Sequence, residues 1–226
     1  MVRRWPNVQI MVAFGGRVIE SFWHMNPTLP PNHLDLGCGL NPRNPYRRQN
    51  LYGIDIRADS AQVTRPNCQI VTGNVALSPI PFADNFMGSM SAFDFFEHVP
   101  RQLYRESTNE IFCPFVNLMS EIWRVLAPGG RLLAVTPAYP HTSAFIDPTH
   151  VNIITAESHT YFCGEKPAGA IYGFKGRFRP LMVKFTTLSN VETLPYRPVR
   201  SWFRDCHRRL FRNGVHHLVW ELEAVK

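Results

Sequence analysis

His33-Leu-Asp-Leu-Gly-Cys-Gly-Leu-Asn41 is the stretch on which the fold turns. An apolar run leads into Asp35 and then into a tight loop, Gly37-Cys38-Gly39. Glycines in such a loop admit positive φ and let the backbone come close to a ligand. At the carboxyl end of the first strand of an open α/β sheet, that is where a nucleotide-like ligand sits. Gly-x-Gly alone is a weak signal. It gains weight from Leu51-Tyr-Gly-Ile-Asp55, a second apolar run ending in an acid. A carboxylate roughly 20 residues beyond the glycines is suited to hold two ribose hydroxyls.

Outward from this loop, Pro42 and Pro45 fall within the first turn of any helix that follows, so that helix starts late or is very short. The stretch from Gly39 to Leu51 is a short crossover for a βαβ unit. Strands are predicted at about 32–36, 51–55, Cys68–Thr72 and Phe86–Ala92, the last ending at Phe93-Asp94. Apolar residues at 115, 118, 119, 122, 123 and 126 have helical spacing. Pro128-Gly129-Gly130 stops that helix, and Arg131–Thr136 is the fifth strand. A short helix is predicted over about 155–163. Leu181–Leu188 and His217–Val225 read as closing strands around a basic amphipathic segment, Arg204–Arg212.

The motifs Asp35-Leu-Gly-Cys-Gly39, Gly53-Ile-Asp55-Ile56, Gly73-Asn74-Val75, Pro81-Phe-Ala-Asp84, Phe96-Glu-His-Val-Pro100 and Leu126-Ala-Pro-Gly-Gly-Arg131 run in one order. Together they resemble class I S-adenosylmethionine-dependent methyltransferases, over about residues 32–137. The resemblance implies a Rossmann-like, seven-stranded, mostly parallel α/β sheet with helices on both faces and a C-terminal antiparallel strand. It implies S-adenosyl-L-methionine as cofactor. The binding set it implies is Asp35, Gly37, Cys38, Gly39, Asn41, Asp55, Ile56, Asn74, Val75, Phe93 and Asp94. Within that set Gly37 and Gly39 approach the methionine part, Asp55 the ribose and Asn74 the adenine amine; Asp94 marks the reacting centre. Asn74 can equally be a turn residue, as Gly-Asn pairs often are. One departure stands out: Asn41, followed by Pro42, replaces the family's third glycine.

No repeat or linker divides the chain, so residues 1–226 read as one domain. It comprises a lead-in over 1–31, a cofactor half over 32–137 and an acceptor-side half over 138–226. The loop after the fifth strand carries His141, Asp147 and His150. If residues 147–150 make a helical turn, the two side chains share a face, and Asp147 can orient His150 as a general base. The alternative is an ordinary turn initiated ahead of Pro148. Asp147-Pro-Thr-His150 is similar to a stretch in proteins linked to surface-polysaccharide synthesis, and the motif set as a whole resembles small-molecule and glycan-pathway enzymes. Adenine and glutamine N-methyltransferases carry Asn-Pro-Pro-Tyr after the fourth strand. This chain carries Ala92-Phe-Asp-Phe-Phe96, which disfavours those acceptors. The reading is therefore methyl transfer to a hydroxyl of a small or sugar-type acceptor. No metal-ligand spacing is present, and no metal is expected.

Two other functions compete. A catalytically silent methyltransferase-like binding domain would use the basic tail, which lacks the aromatic-plus-arginine motif of common nucleic-acid modules. A nicotinamide-dependent oxidoreductase would want the third glycine and a Tyr-x-x-x-Lys pair, and neither is found.

The totals bound these readings. With 226 residues and 45% apolar content the chain can bury a sizeable core. Five dispersed cysteines form no Cys-x-x-Cys, so neither a disulfide framework nor a zinc site is indicated, and a reducing cytoplasm is expected. No apolar run is long enough to span a bilayer, and the N-terminus has no clean secretion signal. The net charge of +7 is uneven. Residues 1–164 hold 12 Lys/Arg against 12 Asp/Glu, and residues 165–226 hold 12 against 5. A phosphate- or carboxylate-bearing acceptor fits that asymmetry, as does a merely solvated face.

Overall fold

The computed structural model describes residues 28–57, 59, 66–186 and 216–226. Its main sheet has seven strands in the order β3-β2-β1-β4-β7-β9-β8. These are β1 (Asn32–Leu36), β2 (Asn50–Asp55), β3 (Cys68–Thr72), β4 (Met87–Phe93), β7 (Leu126–Pro137), β8 (Phe178–Thr186) and β9 (His217–Ala224). Strands β3, β2, β1, β4 and β7 pair in parallel. β9 runs antiparallel to both β7 and β8. A separate two-stranded hairpin is formed by β5 (Leu103–Arg105) and β6 (Glu110–Phe112). Strand order reverses beside β1 and β4, so their carboxyl ends frame the crevice where ligands bind in such sheets.

The strands predicted from apolar runs fall within a residue or two of those observed, except that β8 begins at Phe178, three residues before the predicted Leu181, and except around 126–137. There Leu126 pairs with Met87, residues 127–130 bulge out at the Pro-Gly-Gly bend, and the ladder resumes at Arg131 opposite Ser89. The predicted helix is α1 (Pro114–Val125), with proline at its first turn, where its missing N–H costs nothing. Phe115, Leu118, Met119, Ile122 and Val125 form its buried stripe. They pack on Leu34, Leu36, Met90, Ala92, Leu132, Ala134, Leu218, Trp220 and Leu222 in the larger core. Each such side chain contributes roughly 1.5–3 kcal/mol through burial.

The opposite face of the sheet differs from expectation. Strand alternation turns His33, Asp35, Ser89, Ser91, Phe93, Leu133, Val135 and Val219 toward it. Tyr46, Phe93, Leu133, Val135 and Val219 form a small second core there. Among the described residues no helix covers this face. The proline-bearing loop 40–48 lies across it instead, with the Tyr46 hydroxyl donating to Glu221 Oε1 at 3.1 Å and Arg43 stacked 4.4 Å over Phe93. Pro42 and Pro45 explain the substitution: they exclude the first helix and leave an extended segment to cover the sheet.

The short helix predicted near 155–163 is a 3-10 turn over Ser158–Phe162. The lead-in up to residue 27 and the basic segment Arg204–Arg212 lie outside the described residues. No helix among the described residues is long and apolar enough to cross a membrane.

Candidate functional site

Two adjoining sets of groups gather at the carboxyl edge of the sheet. The first is the glycine loop. Gly37 and Gly39 hold φ of +65° and +58°, in the region that disfavours side chains. A Cβ on Gly37 would come within 2.5 Å of the Phe95 ring, and one on Gly39 would collide with the Arg57 guanidinium. The Gly37 and Cys38 N–H groups donate to Ile54 carbonyl oxygen at 2.8 and 3.2 Å, which binds the loop to β2. Gly39 N–H donates to Asp55 Oδ2 at 2.7 Å, while Asp55 Oδ1 accepts from Arg57 N and Nε, both at 3.0 Å. Asp55 thus stands at the end of β2, against the glycine loop. Its side-chain partner Arg57 is half exposed.

The other implied residues divide by location. Asp35 is buried, and its two oxygens accept from Ser91 Oγ at 2.5 Å and Arg43 N at 2.7 Å. It braces the loop and does not face outward. Cys38 folds back over Gly53, where any Cβ would lie 2.5 Å from its sulfur, and burial pushes its thiol up to about 12. Asn41 and Ile56 are exposed. Asn74 Oδ1 accepts from Ala76 N at 3.1 Å, the turn arrangement, and its amide remains exposed. Val75 and Phe93 are core residues, 7% and 9% exposed, so any ligand they meet would be met by their backbone.

The second set lines a cleft of about 340 Å³ between the ends of β4 and β7 and the start of β9. Asp94 follows β4 with φ of +49° and accepts from His217 Nε2 at 3.1 Å. Glu97 sits in the 3-10 turn Phe96–His98 and is 2% exposed. Its Oε2 accepts from Thr136 Oγ1 at 2.9 Å, and its Oε1 has no partner among the described residues. Burial pushes the Glu97 carboxyl up to about 8, with Asp94 and Asp147 adding to the effect. Its carbonyl oxygen accepts from Val151 and Asn152 N–H, both at 2.9 Å, which ties the loop after β7 to the turn after β4.

That tie brings His150 beside His98, with ring centroids 4.8 Å apart. His150 Nδ1 is 3.3 Å from Ala144 carbonyl oxygen. A carbonyl only accepts, so Nδ1 carries the proton and Nε2 presents a lone pair. His98 Nδ1 is 3.0 Å from Thr149 Oγ1, whose own proton goes to Asp147 Oδ1 at 2.6 Å. His98 is therefore also protonated on Nδ1. The predicted Asp147–His150 turn forms, with His150 N donating to Asp147 carbonyl oxygen at 3.1 Å. The side chains nevertheless stand 3.9 Å apart, beyond a hydrogen bond. Asp147 binds Thr149 instead, and that hydroxyl holds its carboxyl below the usual range.

Sequence reasoning singles out neither Glu97 nor His98 beyond the motif that contains them. The only local signal was an acid inside the apolar stretch Phe95–Val99. His217, which the sequence marks only as the start of a closing strand, meets Asp94 across the cleft.

Comparison with known proteins fits this architecture. Residues 34–134 match the family described as "Methyltransferase domain". No curated protein matches the chain. Among solved structures it is similar to the 4+2 cyclase SpnF, at 15% identity over 87% of this chain and 76% of that one, with a TM-score of 0.55. It is similar to geranyl diphosphate C-methyltransferase from Streptomyces coelicolor A3(2), solved with Mg2+, geranyl diphosphate and S-adenosyl-L-homocysteine. That match has 16% identity over 87% and 74% of the two chains, with a TM-score of 0.53. A SAM dependent methyltransferase from Archaeoglobus fulgidus matches at 15% identity over 87% and 86%, with a TM-score of 0.51. At these identities the likeness concerns the fold, and one of the three is a cyclase by name, so the reaction has to be argued from the site.

Proposed function

We propose that the chain is a class I S-adenosylmethionine-dependent methyltransferase that methylates a hydroxyl of a small, sugar-type acceptor bound in the cleft between Asp94 and His150, a reading supported by the methyltransferase-domain match over residues 34–134. The carrying observation is the position of Phe95. Its ring packs against Gly37 of the cofactor loop, while its neighbours Asp94 and Glu97 line the cleft. The glycine loop after β1 and the cleft therefore adjoin through one short turn after β4.

The residues present fit the cofactor. Gly37 and Gly39 leave no room for side chains, Phe95 and Arg57 packing directly against their backbone, and Asp55 is the acid beside them. Bound there, S-adenosylmethionine supplies an electrophilic methyl group on a sulfonium. The protein's share is alignment, worth up to ~7–11 kcal/mol in well-oriented systems. It must also accept the proton that the hydroxyl gives up as the C–O bond forms. Of the cleft's groups as they stand, His150 is placed for this, with an unprotonated Nε2 and a ring fixed through Nδ1. Asp147, at 3.9 Å, stabilises the resulting imidazolium by charge and not by a hydrogen bond. The excess of Lys and Arg in residues 165–226 favours an acceptor carrying phosphate or carboxylate.

The test is S-adenosylhomocysteine release from the full chain, read with a panel of sugars, sugar phosphates and nucleotide-linked sugars. With the acceptor found, His150→Ala lowers turnover by ~10²-fold or more and leaves S-adenosylmethionine affinity unchanged. Normal turnover in that variant would remove His150 and point to an acceptor that needs only alignment.

A further inference from the structure

We propose that Glu97, His98 and His150 bind a divalent first-row transition-metal ion, to which the hydroxyl of the acceptor also coordinates. The inference rests on the cleft being the acceptor site, and it changes the part played by His150 from base to ligand.

Three observations converge. One ligating atom from each of the three residues lies within 4.8 Å of the others. Glu97 is almost wholly buried, yet its Oε1 has no partner among the described residues. An unanswered carboxyl oxygen in an interior is unfavourable, and a cation that takes the place of the carboxyl proton answers it. Finally, both imidazoles turn their Nδ1 hydrogens outward, His98 to Thr149 and His150 to the Ala144 carbonyl. Outer hydrogen bonds of this kind fix the tautomer and ring of metal-binding histidines, and they leave Nε2 as the donor atom. Asp147 completes that outer layer by holding the Thr149 hydroxyl at 2.6 Å.

The donor set indicates the class of ion. Two imidazoles and one carboxylate, with no thiolate, suit zinc, cobalt, manganese or iron in the divalent state, and they leave coordination positions open. Ligands about 2.1 Å from one ion are at most ~4.2 Å apart. The cluster therefore has to draw in by under about 1 Å, which the exposed His98 side chain can supply. An acceptor hydroxyl on such an ion becomes far more acidic. Its O–H bond would break with the proton passing to the Asp94 carboxylate lining the same cleft, and its oxygen would form the new C–O bond as the S–CH3 bond of the cofactor breaks, the electron pair going to sulfur to give S-adenosylhomocysteine.

The experiment uses the full chain stripped with a chelator and titrated with Co2+, followed by visible d–d absorption and calorimetry. One ion per chain is expected. His98→Ala and His150→Ala raise its Kd by about 10²-fold or more. His141→Ala, outside the triad, leaves it unchanged. His98 is exposed, so its variant keeps the core, and an unaltered melting profile checks this. Failure of Co2+ to bind saturably, or equal binding in the His98 and His150 variants, overturns the proposal. Full turnover by the stripped protein overturns the ion's role and leaves methyl transfer standing. Absence of S-adenosylhomocysteine binding alongside normal Co2+ binding overturns the methyl-transfer reading and leaves the metal site.

Discussion

Asp55 holds the Gly39 N–H with one carboxylate oxygen and Arg57 with the other. A ribose bound at Asp55, as proposed, would displace the second partner and keep the first. Removing the acid and removing its competitor therefore act in opposite directions. Asp55→Ala abolishes charge-assisted bonds worth about 1.5–3 kcal/mol each, so calorimetry should show S-adenosylmethionine affinity falling ~10- to 100-fold. Arg57→Ala removes an exposed ion pair worth about 0–1 kcal/mol, and affinity should stay level or rise up to ~5-fold. A loss of affinity in the Arg57 variant would mean that the guanidinium touches the cofactor itself. Asn74→Ala makes a gentler test: its oxygen serves the Ala76 turn, so the change should fall well short of that in the Asp55 variant.

At the scale of elements, β1 and β4 share a buried polar row that apolar periodicity does not reveal. Ser89 Oγ donates to His33 Nδ1 at 2.8 Å, His33 Nε2 donates to Ser91 Oγ at 2.9 Å, and Ser91 donates to Asp35 at 2.5 Å. Burial pushes the His33 imidazole down to about 3 and the Asp35 carboxyl up to about 7. The depressed histidine contributes stability above its ordinary 6.5 and loses it as pH falls toward 3. The raised aspartate contributes below its ordinary 3.8 and loses it as pH rises toward 7. Between roughly pH 4 and 6.5 the two slopes oppose, each about 1.4 kcal/mol per pH unit. Denaturant unfolding across that window should give a steeper gain with pH in Asp35→Asn and a steeper loss in His33→Gln. Parallel slopes in both variants and the parent would show that the two groups do not titrate as burial dictates. The strands themselves were legible because alternation and apolar runs are local properties. Pro42 and Pro45 likewise announced the missing first helix. The metal-like triad was not legible, because Glu97 and His150 are brought together by tertiary bonds between two distant segments, among them those from Val151 and Asn152 N–H to the Glu97 carbonyl. Nor was the cover of the second face, where Tyr46 reaches Glu221 across most of the chain.

Over the whole molecule, charge is the property that the fold leaves to be tested in solution. The part up to residue 164 is balanced, and the last 62 residues carry the entire excess. Strands β8 and β9 place some of these residues in pairs, as with Arg179 and Glu223 at 2.5 Å. Arg204, Arg208, Arg209 and Arg212 lie outside the described residues, with Asp205 the only acid in that stretch. If this excess draws an anionic acceptor toward the cleft, attraction acts over a Debye length of about 8–10 Å near physiological salt and weakens as salt rises. The Michaelis constant for the acceptor should then rise between low and physiological ionic strength, with kcat nearly constant, because steering affects encounter and not the aligned complex. Arg208→Glu combined with Arg209→Glu should reproduce that rise at low salt and flatten the salt dependence. The S-adenosylmethionine constant should respond to neither change, since its loop lies in the balanced half. An acceptor constant indifferent to both salt and charge reversal would assign the basic segment to solvent, and selectivity would then have to come from the cleft's own groups.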